Sequence, residues 1–157
     1  MKTMKIIFYL IASLLLLMVG CNTEDSKIED LNEVLASLST YEVIQTEIWD
    51  QSCISCHLAG ASYANQSGLI LTADVSYEQL MNRVPTNVTA AEDGLLLVGD
   101  EGYASLPKSF LWEKINANDM DHFYQDHPEY GAIMPLGDDF LTNGELEFIR
   151  QWIEAGA

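Results

Sequence analysis

Residues 53–57 read Cys-Ile-Ser-Cys-His, and this run constrains the fold more than any other stretch. Positions three and four apart share a face when the backbone turns as a helix does. In a helical turn, then, Cys53, Cys56 and His57 all point the same way. The preceding residues agree. In YEVIQTEIWDQS, Tyr41, Ile44 and Ile48 lie on one helical face that runs straight into Cys53.

The rest of the chain also reads as helices joined by irregular segments. A weak helical pattern, Ile28, Leu31, Leu35 and Leu38, stops at Ser39-Thr40, where a new helix can be capped. After His57 comes a loop rich in Gly, Ser, Ala and Asn. SYEQLMNRV follows, with Ser76 and Gln79 at capping-box spacing ahead of Leu80, Met81 and Val84, and Pro85 ends it. Residues 86–108 carry glycines around an apolar LLLV and read as loop with one buried segment. Ser109 caps FLWEKINA, whose Phe110, Leu111 and Ile115 can face a core. Residues 118–131 read as polar and aromatic loop. The clearest helix is the last. Thr142 and Glu145 form a capping box, Leu146, Ile149 and Ile153 share a face beside Phe148 and Trp152, and Gly156 is a stop. No alternating apolar and polar run argues for sheet, so the expected class is all-α.

The N-terminus speaks to destination. Lys2 and Lys5 precede an apolar run over 6–19, the layout of a signal peptide. A spanning helix needs about 20 residues, and this run is shorter. Met18-Val19-Gly20-Cys21 resembles a bacterial lipobox, which implies cleavage after residue 20 and acylation of Cys21. The alternatives are an ordinary cleaved signal beside an unmodified cysteine, or an uncleaved anchor. The expected layout is a signal peptide over 1–20, a lipidated tether over 21–39 and one domain over 40–157. All 24 acidic residues would remain after cleavage with 5 of the 7 basic ones, giving 5 − 24 = −19. Such a surface disfavours nucleic acid and anionic membrane surfaces, and it would steer a basic protein partner.

Cysteine arithmetic now narrows the motif. The chain has three cysteines, Cys21, Cys53 and Cys56, so an exported domain with Cys21 lipidated keeps one pair. A redox thiol pair wants a strand-to-helix setting that the chain lacks. A structural zinc site needs four ligands, and CISCH offers three, crowded together. A Cys53–Cys56 disulfide is allowed outside the cytoplasm but leaves His57 unexplained. C-x-x-C-H is also the attachment run for c-type haem, with two thiols for the vinyl groups and one imidazole for the iron.

A haem bound there needs a sixth ligand or a deliberate vacancy. Met134 precedes Pro135, which restricts the backbone of the residue before it and holds the thioether at a defined place. Met81 falls on the apolar face of its helix and reads as core. Met120 lies among Asp119, Asp121 and His122. His122 and His127 are competing ligands, and an open sixth site is the third possibility. His57 with Met134 is the expected axial pair, which favours a raised potential.

In order, the parts VIQTEIWDQSCISCH, SGLILTADVSYEQLM, GDEGYASLPKSFLWEKI and IMPLGDDFLTNGELEFIRQWIEAGA resemble the cytochrome c superfamily. They are most similar to monohaem cytochrome c domains of exported planctomycete and Bacteroidetes proteins. The resemblance covers about 41–157. It implies the cytochrome c fold, with crossing N- and C-terminal helices packed through Ile44, Ile48 or Trp49 against Ile149 and Trp152. It also implies one haem c on Cys53 and Cys56, with His57 and Met134 as iron ligands. The segments 87–102 and 118–130 are long for that pattern. The implied function is one-electron transfer to a redox protein partner, not enzyme catalysis, on the outer side of a membrane reached through the Cys21 lipid. A small-ligand sensing module, or the haem subunit of a larger oxidoreductase, would use the same residues.

Overall fold

The computed structural model describes residues 39–137 and 139–157. Residues 1–38, where the signal peptide, the lipidated Cys21 and most of the tether are expected, lie outside the described residues. Thr40–Ala157 form one compact unit. It is mostly helical, and among the described residues there are no strands, only isolated bridges. No described helix is long and apolar enough to cross a membrane.

Helix α1, Thr40–Ile44, passes without a break into a π-helix, Gln45–Cys53. The wider turn closes i→i+5 bonds, as between Ile54 N–H and the Trp49 carbonyl at 2.9 Å. Residues five apart then share a face. Ile44 with Trp49, and Ile48 with Cys53, all turn toward the core. A reading at period 3.6 picks out Tyr41, Ile44 and Ile48. The structure buries Ile44, Gln45, Ile48 and Trp49 and leaves Tyr41 half-buried.

The short helices α2, Ser62–Ser67, and α3, Ser76–Leu80, follow. Helix α3 is shorter than its sequence suggests. Asn82 adopts φ 52°, in the left-handed region, so the helix ends at Leu80 and Met81 is extended. The expected Ser76–Gln79 capping box does not form. The Ser76 hydroxyl is fully buried and donates instead to Gln45 Oε1 at 2.5 Å. A tertiary acceptor has outcompeted a local one.

Residues 86–108 are not simply loop. Helix α4, Val88–Glu92, starts on Asn87, whose side chain accepts from Ala90 N–H at 2.9 Å. The apolar Leu95–Val98 stretch then runs extended between two neighbours. Leu97 N–H donates to Arg83 O at 2.7 Å on one side, and Phe110 N–H donates to Leu96 O at 2.7 Å on the other. Backbone groups bonded on both flanks can be buried without penalty. Two 3₁₀ turns, Gly102–Ala104 and Leu106–Lys108, lead to α5, Phe110–Ile115, capped by Ser109 as its position predicts.

The stretch expected as loop over 118–131 is folded. A 3₁₀ turn, Ala117–Asp119, opens α6, Met120–Asp126, and another, Pro128–Tyr130, closes it. Phe123 and Tyr130 carry it into the core at 2 % and 4 % exposure. The last helix, α7, Asn143–Glu154, has both halves of the Thr142–Glu145 capping box. It buries Leu146, Ile149, Trp152 and Ile153. Those side chains share one cluster with Ile44, Ile48 and Trp49, and the Tyr41 ring lies 5.3 Å from that of Trp152. Each such aliphatic side chain contributes about 1.5–3 kcal/mol by leaving water. Helix α1, the π-helix and α7 thus share one core cluster that includes Ile44, Ile48, Trp49, Ile149 and Trp152.

Candidate functional site

The motif begins where the π-helix ends. The Cys53 carbonyl accepts from Cys56 N–H at 3.2 Å and from His57 N–H at 3.0 Å. The chain therefore makes one more tight turn, and the i+3 and i+4 positions of the motif close on the same carbonyl. Cys53 and Cys56 are both free thiols, and with His57 they are half-buried. The Cys53 thiol packs against the core. Burial pushes its pKa up to about 12, with smaller contributions from Cys56 and Glu145. A nucleophilic redox thiol needs a depressed pKa, and Cys53 has the opposite.

His57 is oriented by the segment that follows α2. Its Nδ1 meets the Leu69 carbonyl at 3.1 Å, and its own carbonyl accepts from Leu71 N–H at 2.9 Å. A ring whose Nδ1–H is spent on a backbone carbonyl presents Nε2 as a lone-pair donor, the arrangement that fixes a metal-binding imidazole. The segment is itself tied back to the π-helix, because Gln45 Nε2 donates to the Leu71 carbonyl at 2.9 Å. Gln45 and Leu69 were not singled out as site residues from the sequence. Gln45 reads as an ordinary polar position of an amphipathic helix, and its burial is visible only in three dimensions.

Met134 lies ahead of α7, half-buried against the same core as Cys53. Its N–H donates to the Lys114 carbonyl at 2.6 Å, and the Met134–Pro135 bond is cis. The Lys114 ammonium donates to the carbonyls of Tyr130 at 3.0 Å and of Ala132. Burial draws its pKa down to about 8.

The competing sulfurs and imidazoles are placed differently. Met81 sits past the end of α3, packed against the core, and not on the helix face expected for it. Met120 begins α6 and also packs inward. His122 is exposed and pairs with Asp126 at 2.9 Å. The His127 ring stacks on Tyr130 with centroids 4.5 Å apart.

Among the described residues, no three His, Cys, Asp or Glu side chains gather where they could hold a metal ion. Cys53, Cys56 and His57 thus do not converge on one point. A c-type haem would not need such a cluster, since Cys53 and Cys56 would hold it as thioethers and His57 would be its iron ligand. The donor chemistry fits such a group, with two free thiols, one oriented imidazole and a thioether on the same core. The Trp49 indole N–H, one turn before Cys53, is buried, and its one interaction is a poorly formed one with the Tyr41 side chain. No family model, curated protein or solved structure matches this chain.

Proposed function

We propose that this chain is a monohaem c-type cytochrome of the cytochrome c fold, carrying single electrons outside the cytoplasm. The observation that carries the reading is the Cys53–His57 turn. The Cys56 and His57 amides both donate to the Cys53 carbonyl, both cysteines are free thiols, and the imidazole is held at Nδ1 by the Leu69 carbonyl. Cys53 and Cys56 would hold the group through thioethers, and His57 and Met134 would ligate its iron. When bound, the haem supplies one-electron exchange between ferric and ferrous iron.

The chain's own residues supply the surroundings. The core around Cys53 keeps water from the attachment edge. Leu69 fixes the imidazole orientation so that the ligand does not rotate away. The half-buried Met134 offers a soft neutral donor, which favours the reduced state relative to a charged ligand. The acidic surface, with formal net charge −17, suits a basic redox protein partner docked by charge and released by salt. Acylated Cys21 would tether the domain to a membrane. No nucleic acid is expected to bind.

The test is to produce the chain together with a haem-attachment system. Expected are one covalently bound haem, loss of attachment in the Cys53→Ala/Cys56→Ala double variant, and a changed ferric spectrum in Met134→Ala. A chain that matures without covalent haem would sink the proposal. Ready carbon monoxide binding by the native ferrous protein would replace the carrier with a sensing module.

A further inference from the structure

Three successive residues leading to Met134 are held from outside by groups of α5 and α6. The Ala132 carbonyl accepts from the Lys114 ammonium. Ile133 N–H donates to the Tyr124 hydroxyl at 3.2 Å. Met134 N–H donates to the Lys114 carbonyl at 2.6 Å. The ammonium also takes the Tyr130 carbonyl at 3.0 Å and lies 5.8 Å and 5.5 Å from the ring centroids of Phe110 and Phe123. One lysine therefore grips the segment twice, with its head group on the carbonyls before Met134 and its backbone on Met134 itself.

The other described lysine is used differently. Lys108 reaches toward Glu101 at 3.9 Å between exposed side chains, as a surface cation does. Lys114 has 24 acidic residues in its sequence to pair with, yet its head group is half-buried against main-chain oxygens and two aromatic faces. Carbonyl dipoles and ring quadrupoles can stabilise a cation there, and the arrangement fixes their positions in return.

The physical need is clear from entropy. Fixing a backbone residue costs conformational entropy. An irregular segment that had to order itself on ligation would lose affinity accordingly. Holding 132–134 in advance removes the cost.

We propose that Lys114 is a positioning residue for Met134, with Tyr124 as its second hold. In this arrangement the segment 117–130 serves as the brace that presents the thioether at one place. The inference rests on reading Met134 as an axial ligand, and its test separates the two.

Three full-length haem-loaded proteins are compared: wild type, Lys114→Met, which keeps the aliphatic stem, and Tyr124→Phe, which removes only the hydroxyl of a side chain 46 % exposed. Two quantities are read in each. One is hydrogen exchange at the Ile133 and Met134 amides. The other is the rate at which carbon monoxide displaces the methionine from ferrous protein. Lys114→Met should speed Met134 exchange and carbon monoxide entry at least tenfold. Tyr124→Phe should speed Ile133 exchange by a similar factor and carbon monoxide entry by a smaller one, and it keeps the test open if Lys114→Met does not fold.

Wild-type rates of carbon monoxide entry in both variants would overturn the proposal. So would faster exchange without faster entry, because Lys114 would then be structural only. A wild-type protein whose spectrum is unchanged by Met134→Ala would defeat the ligand reading instead, before any Lys114 variant is measured.

Discussion

Gln45→Leu is the substitution that most directly probes how the site is built. Gln45 is 4 % exposed. Its Nε2 donates to the Leu71 carbonyl at 2.9 Å and to Asp50 Oδ1 at 2.6 Å, and its Oε1 accepts from Ser76 at 2.5 Å. Ser76 in turn accepts from the Tyr41 hydroxyl at 2.7 Å. Leucine matches the size but makes none of these bonds. Asp50 is half-exposed and finds water, so two buried orphans remain, the Leu71 carbonyl and the Ser76 hydroxyl. Each costs about 1–3 kcal/mol, and leucine regains about 1–2 kcal/mol by apolar burial. The net loss is about 3 kcal/mol, a large share of the 5–15 kcal/mol typical of a domain.

The same network makes a second, sharper statement. Ser76→Ala alone leaves Gln45 Oε1 without its donor and takes one partner from the half-buried Tyr41 hydroxyl, at about 1–2 kcal/mol. In the double variant Ser76 is no longer there to be orphaned, so the two losses should fall short of additive by about 1–2 kcal/mol. Urea unfolding monitored by circular dichroism gives all four corners of the cycle, provided the slope stays constant. Exchange at the Leu71 amide, whose partner is the His57 carbonyl, should accelerate in Gln45→Leu. A loss under about 0.5 kcal/mol, or strict additivity, would refute the idea that Gln45 anchors the segment that orients His57.

Three further outcomes are expected. Thr142→Ala removes one half of the capping box on α7 and should lower stability by about 1 kcal/mol in urea, with no change in any haem spectrum. Ile149→Ala empties a fully buried site between the first and last helices. It should cost about 2–5 kcal/mol, read as a lower urea midpoint. In haem-free protein at pH 8, a Cys53 pKa of about 12 leaves about 10⁻⁴ thiolate, against about a quarter for an ordinary thiol. Higher intrinsic nucleophilicity offsets part of that, so iodoacetamide should modify Cys53 about 50-fold more slowly in folded than in urea-unfolded chain. The folded pKa lies above the unfolded one. The buried neutral thiol therefore contributes its full stability below about pH 8.5 and loses it as pH rises toward 12. Haem-loaded protein, with a thioether at Cys53, should not show this loss, and equal alkaline stability curves for the two forms would contradict it.

What could be read from the sequence, and what could not, divides along the range of the forces. Thr142 with Glu145, Ser109 ahead of α5, and the apolar face of α7 are local signals, and all three stand in the structure. The motif residues Cys53, Cys56 and His57 were legible for the same reason, since their spacing is their chemistry. The π register was not. Its consequence, Ile48 and Cys53 on one face, depends on a turn width that a period of 3.6 does not contain. Ser76 and Gln79 had capping spacing, yet Gln45 was a better partner for Ser76 from 31 residues away. Segment 118–130 lacks a continuous apolar stripe, so its helix was hidden, and two buried aromatics suffice to dock it. Lys114 looked like an ordinary cation in a short helix. Its neighbours come from 16 and 18 residues downstream, and only the fold of α6 brings them to it. Local pattern thus marked the groups proposed to bind, Met134 included. The groups proposed to aim them, Leu69, Gln45, Lys114 and Tyr124, meet backbone carbonyls and amides or act through their own, and the residue types at those positions carry no mark of it.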